Sequence, residues 1–112
     1  MIDNKSDNAR GSLQVGPDGR QIAKLSIFTI ALTPAIVATI TTAEQTFAVP
    51  AVEGLAVGDV VLVQKPTSQA GLGICGARVS AANTLAITWV NPTAGGLTPT
   101  AGEVYTVVQI RG

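Results

Sequence analysis

The chain has 112 residues, of which 46% are hydrophobic, 12% charged and 4% aromatic, and its seven basic and seven acidic side chains cancel to a formal net charge of zero. That length suits one domain with one core, and the charge balance removes the electrostatic footprint of a nucleic-acid binder. A charged fraction about half the usual ~25% leaves a surface of Ala, Thr, Ser, Val and Gly, which favours coverage by other protein.

Residues Met1 to Gly11 are polar and charged, without the apolar run of a signal peptide. Met1 to Arg20 carries Asp3, Lys5, Asp7, Arg10, Asp18 and Arg20 among Gly and Asn. Such a segment does not bury enough apolar surface to order itself, so residues 1–20 read as an extended arm, either mobile or ordered by lying on another chain, and residues 21–112 as the folded domain. The expected contacts are Asn4, Lys5, Asn8, Arg10, Leu13, Val15, Arg20 and Ile22. Gly16-Pro17-Asp18-Gly19 is a turn signal that can end the arm, or close a hairpin between Leu13-Gln14-Val15 and the segment from Gln21.

From Ile22 the pattern is that of strands. Ile22 to Leu32 and Ala35 to Thr41 are rich in Ile, Val, Thr and Phe and are split by Thr33-Pro34. Lys24 and Pro34 also interrupt this apolar stretch, so it is not expected to span a membrane. Thr46 to Val49 forms a third candidate, stopped by Pro50. Val60 to Lys65 follows Gly58-Asp59 and ends at Pro66; its unbroken apolar run predicts a strand covered on both faces. Ile74 to Ser80, Thr84 to Val90 and Glu103 to Arg111 complete the series. No stretch keeps helical spacing, so the fold expected is all-β: a single β-sandwich or jelly-roll-like barrel of about seven short strands.

One hairpin is legible residue by residue. A three-residue loop Ala81-Ala82-Asn83, with Asn83 left-handed, sets Ser80 opposite Thr84. Val79–Leu85, Ala77–Ile87 and Cys75–Trp89 then pair on the core face. Arg78–Ala86 and Gly76–Thr88 pair on the other, where Arg78 stays solvated or finds a neighbouring charge.

Catalytic chemistry is scarce. The absence of histidine removes the usual general base and imidazole metal ligand, and one cysteine makes neither a zinc site nor an internal disulfide. Glu53 and Asp59 are the nearest carboxylates in the body, with Asp59 expected to bond turn amides and Glu53 to be solvated. Gly71-Leu72-Gly73-Ile74-Cys75-Gly76 lacks the helix and the Gly-Lys-Ser/Thr ending of a phosphate loop, so its glycines are expected to allow bulging or close sheet approach. Cys75 is expected to be an inert core residue. No enzyme activity and no cofactor are expected. Phe28, Phe47, Trp89 and Tyr105 are too dispersed for a base-stacking platform.

The succession Thr41-Thr42-Ala43-Glu44-Gln45-Thr46-Phe47, Val49-Pro50, Gly58-Asp59-Val60-Val61, Lys65-Pro66, Gly71-Leu72-Gly73-Ile74, Ala77 to Leu85 and Thr98 to Glu103 resembles small capsid decoration (cement) proteins of tailed bacteriophages. The resemblance covers roughly Thr41 to Arg111 and lies in turns and spacing, without a catalytic signature. It implies a compact β-sandwich on the outer capsid surface of the virion, made in the bacterial host cytoplasm, that bridges major capsid proteins as a homodimer or homotrimer. No nucleic-acid or membrane partner is expected. Similar strands also occur in tail-fibre modules, so a receptor-binding module that recognises a host glycan is the alternative.

Overall fold

A computed structural model describes residues 13–14 and 21–112, and within them the fold is all-β. The strands are β1 Leu13–Gln14, β2 Gln21–Ile22, β3 Lys24–Leu32, β4 Thr41–Ala48, β5 Val60–Gln64, β6 Gly73–Ala81, β7 Thr84–Asn91 and β8 Glu103–Arg111, with a single 3-10 turn at Ala51–Glu53. They form two three-stranded antiparallel sheets, β3-β8-β5 and β4-β7-β6, and a separate antiparallel β1-β2 pair. The two large sheets stack as an open sandwich and no strand hydrogen-bonds from one sheet to the other, which excludes the closed-barrel form of the expectation.

Period-two alternation decides which residues meet between the layers. Phe28 and Leu32 of β3, Val61 of β5, and Tyr105 and Val107 of β8 face Val79 of β6 and Leu85, Ile87 and Trp89 of β7, all of them buried. Trp89 and Tyr105 meet edge to face across the layers, with centroids 6.4 Å apart and planes at 84°. Rings carry the largest apolar area, so their side of each strand becomes the inside.

Loops fasten the ends with side-chain amides. Asn91, wholly buried, donates to the carbonyls of Val37 (3.0 Å) and Gly95 (2.9 Å) and accepts from the Thr93 amide (2.9 Å). Gly71 has φ of +76°, and a Cβ there would stand 2.5 Å from Thr93 Cγ2, so glycine is required on both counts.

Several sequence expectations need correction. Ala35 to Thr41 is not a strand: it is a loop held by the backbone bridge Val37–Leu97 and by Gln45, whose amide side chain bonds both the N–H and the carbonyl of Ala35. Ile40 ends it at φ +48°. The strand predicted over Thr46 to Val49 instead starts at Thr41, because all eight residues of Thr41–Ala48 find partners on β7. In the β6-β7 hairpin Asn83 is left-handed as expected (φ +57°), and Val79–Leu85, Arg78–Ala86, Ala77–Ile87 and Gly76–Thr88 pair as read. Thr84, however, pairs with Ala81 and Trp89 with Ile74. A bulge at each end of the ladder absorbs one extra residue and re-aims its side chain. Cys75 sits in one of these bulges and is exposed, not a core residue.

The extended arm falls on residues outside the described set, apart from the backbone pairing Leu13–Ile22 and Gln14–Gln21. Asn4, Lys5, Asn8, Arg10, Val15 and Arg20 also lie outside it.

Candidate functional site

The outward side of sheet β3-β8-β5 departs most from an ordinary domain surface. Register aligns four rows across it: Leu25–Ile110–Val60, Ile27–Val108–Leu62, Thr29–Thr106–Gln64, and Ala31–Val104. Directly opposed residues place their Cβ atoms about 5 Å apart, so the first two rows form an unbroken aliphatic sheet face. Leu25 is 59% exposed, Ile27 69%, Val60 56%, Leu62 60% and Val104 53%. These are five of the nine large hydrophobic residues that stand exposed in the described residues, so the exposure is concentrated on one face. None of the eleven residues in the rows is charged.

The same register explains why those residues lie outside. The opposite parity of the three strands carries Phe28, Tyr105, Val107 and Val61, which fill the core. On β5 both parities are thus apolar, a pattern normal for strands covered on two faces, whereas the inward parity of β3 and β8 also carries Lys24, Ser26, Glu103, Gln109 and Arg111 towards the ends of the sheet. The expectation that Val60 to Lys65 is covered on both faces is contradicted within the single chain: Val61 is buried, while Val60 and Leu62 are open, because a second sheet packs on one side only.

At one end of this sheet a polar clamp fixes β5 to β8. Arg111 donates to Asp59 through Nε (2.7 Å to Oδ1) and Nη2 (2.8 Å to Oδ2), and Gln109 Nε2 (2.8 Å) and the Ala56 amide (3.0 Å) also donate to Oδ2. Arg111 Nη2 and Gln109 Nε2 additionally reach the Gly54 carbonyl at 2.8 and 3.2 Å. The Arg111 guanidinium, reinforced by Gln109 and the Ala56 amide, holds the Asp59 carboxyl well below the usual carboxylate range despite its burial. Four donors from Arg111, Gln109 and Ala56 converge on this carboxylate, three of them on Oδ2, so Asp59 acts as a fastener between the strand ends.

Glu103 and Glu44, two of the other three carboxylates of the body, are also paired. Glu103 pairs with Lys65 (2.8 Å) and accepts from Thr67 Oγ1 (2.5 Å), and these contacts lower its pKa. Glu44 receives Arg78 in bidentate fashion (2.7 and 2.9 Å), which lowers its pKa as well. The Arg78 side chain reaches Glu44 by crossing β7, which answers whether it stays solvated or finds a partner. Among the described residues no three His, Cys, Asp or Glu side chains gather in a metal-holding group, and no helix is long and apolar enough to cross a membrane.

An open cleft of about 300 Å³ between β5 and β6 is lined by Val63, Gln64, Lys65, Gln69, Ile74 and Trp89, among others. Trp89 and Tyr105 have no exposed surface and Phe28 is 8% exposed, so these three rings present no face on which a sugar could stack, while Phe47 is partly buried and packs against the core. Burial and the nearby Glu103 push the Tyr105 phenol up to about 12, so it stays neutral at physiological pH.

Of the contacts expected from sequence, Leu13 and Ile22 are paired backbone to backbone beside the Leu25 end of the sheet. The sequence reading named contacts from Asn4 to Ile22 and did not single out the exposed side chains Leu25, Ile27, Val60, Leu62 and Val104. The available signal was the run Val60-Val61-Leu62-Val63, apolar at both parities. Comparison of the chain with protein-family models, curated proteins and solved structures finds no match.

Proposed function

We propose that this protein is a virion structural subunit, a decoration or cement protein that binds the outer capsid surface of a tailed bacteriophage and bridges major capsid proteins. The observation that carries the reading is the uncharged aliphatic face of β3-β8-β5, which leaves five large side chains more than half exposed. A contiguous patch of that kind on a small chain is covered by protein in its working state. Few charges, zero net charge and the pairing of Asp59, Glu44 and Glu103 with cationic side chains support assembly over catalysis. Bridging two capsid proteins lets modest contacts add, because the second forms at high effective concentration. In this reading Asn4, Lys5, Asn8, Arg10, Leu13, Val15, Arg20 and Ile22 supply the attachment to capsid.

The test is co-sedimentation of the purified full chain with phage capsids stripped of decoration, followed by electron microscopy. Saturable occupancy at symmetry-related positions, with shells that resist heating better, is expected. Absence of binding to any capsid, or turnover of a small substrate, would overturn the reading. Removal of residues 1–20 is expected to weaken attachment while circular dichroism remains that of a β fold. The glycan-binding alternative would need an open aromatic ring; Trp89, Tyr105 and Phe28 are buried and Phe47 packs against the core, which gives it no support.

A further inference from the structure

We infer that the aliphatic face of β3-β8-β5 is covered by the same face of a second copy of this chain, giving a two-fold dimer in which two sheets stack outside to outside. The inference deepens the proposed function and rests on reading the chain as an assembly subunit, since it names what covers the exposed face.

Size is the first argument. Two nine-residue strands of about 30 Å and one five-residue strand of about 17 Å, spaced about 4.8 Å, give a footprint of roughly 360 Å², which side-chain relief raises to roughly 450 Å² of accessible surface. Two copies face to face remove about 900 Å² from water, which places the joint among small, readily reversible interfaces. Chemistry is the second. An occupant must bring neither charge nor unpaired donors against Leu25, Ile27, Val60, Leu62, Val108 and Ile110, and this face meets that condition itself. Zero net charge also removes long-range repulsion between copies. Strand pattern is the third: β5 is apolar at both parities and the outward parity of β3 and β8 carries no charge, as in sheets sandwiched between two layers, and the chain supplies one of those layers. Stacked twisted sheets settle about 10 Å apart with strands about 30° from parallel, which brings the row Ile27–Val108–Leu62 to the centre of the joint.

The other candidate occupant within the chain is its own first segment. Residues 1–12 read MIDNKSDNARGS, with Met1 and Ile2 as their large apolar side chains, too few to cover five exposed aliphatic residues.

The test is sedimentation velocity of the full chain from about 1 to about 200 μM. Wild type is compared with Ile27→Lys/Leu62→Lys, with Ile27→Thr/Leu62→Thr, and with Thr46→Lys on the opposite sheet. Wild type and Thr46→Lys are expected to reach twice the 11.3 kDa chain mass, whereas both double variants stay at the chain mass, their dissociation constants raised at least about 100-fold. Ile27 and Leu62 are exposed, and threonine keeps strand propensity, so thermal melts check that the double variants remain folded. Wild type monomeric throughout, a trimer, or a dimer that survives both double variants would overturn the inference. Dimerisation that appears only after removal of residues 1–20 would overturn it too, by giving the face to that segment. The two readings fail separately. A wild-type dimer that binds no capsid leaves the inference and sinks the proposed function; a monomer whose capsid binding is lost in Ile27→Lys/Leu62→Lys does the reverse.

Discussion

The outward sides of the two sheets have the same job in the fold and opposite chemistry. On β4-β7-β6 the outward positions include Thr42, Glu44, Thr46, Thr84, Thr88 and Arg78 beside Ala48, Ala86 and Val90, with an ion pair laid across the middle strand. On β3-β8-β5 they carry no charge, and Leu25, Ile27, Val60, Leu62, Val104, Val108 and Ile110 outnumber Thr29, Thr106, Gln64 and Ala31. Threonine and valine are nearly the same shape and both favour extended backbone, so strand formation does not choose between them. The first sheet shows that this sandwich tolerates threonine outside. The aliphatic residues on the second are therefore not demanded by strand formation, and the proposed coverage by protein would account for them.

The comparison breaks most severely where the aliphatic sheet is fastened. Asp59→Ala leaves Gln109 and Arg111 without their acceptor, in a place where the Asp59 side chain is 2% exposed. A loss of about 2–3 kcal/mol is expected in urea unfolding. The same carboxyl gives a pH dependence of definite sign. Its folded pKa lies below its unfolded value of about 3.9, so its stabilisation is present at neutral pH and fades as pH falls through that value towards the folded one. Melting temperatures of wild type are expected to fall more steeply than those of Asp59→Asn between about pH 5 and pH 2.

A smaller and sharper contrast lies on one strand. Val107 is wholly buried and Val108 points to the outward face. Val107→Thr buries a hydroxyl in the core and is expected to cost about 1–2 kcal/mol of chemical stability. Val108→Thr is expected to change monomer stability by less than about 0.5 kcal/mol while weakening association measured by sedimentation. Equal destabilisation by the two would mean that the outward aliphatic side chains belong to the core after all.

The opposite sheet supplies the smallest effect. Glu44→Gln removes an ion pair that is open to solvent and screened by salt, with 64% of the Arg78 side chain exposed. Its melting temperature is expected to match wild type within measurement scatter at physiological salt, and its oligomeric mass to be unchanged.

Particular residues show what was legible. Arg78, Ala77, Val79 and their partners were readable because a one-residue slip would bury a charge and expose Leu85 and Ile87. Cys75 was misplaced because a bulge carries no composition signature beyond neighbouring glycines, and one extra residue reverses the face. Asp59 was readable as a turn-capping carboxylate, and the Ala56 amide is that bond, but Arg111 lies 52 residues away and no local pattern announces it. The aliphatic face was half legible. The run from Val60 showed that both sides of the strand are apolar, and nothing in it told which side the chain would cover itself.

Composition and period-two patterning by themselves determined the all-β class, most strand positions and the left-handed turn at Asn83, because alternation and turn chemistry act over a few neighbouring residues. Tertiary structure alone decided which parity of β3, β5 and β8 faces inward, since that choice depends on Trp89 and Tyr105 meeting across two layers 16 residues apart in the chain. It also decided that the remaining aliphatic parity gathers into one uncharged face, because register, not sequence distance, puts Leu25, Ile110 and Val60 side by side.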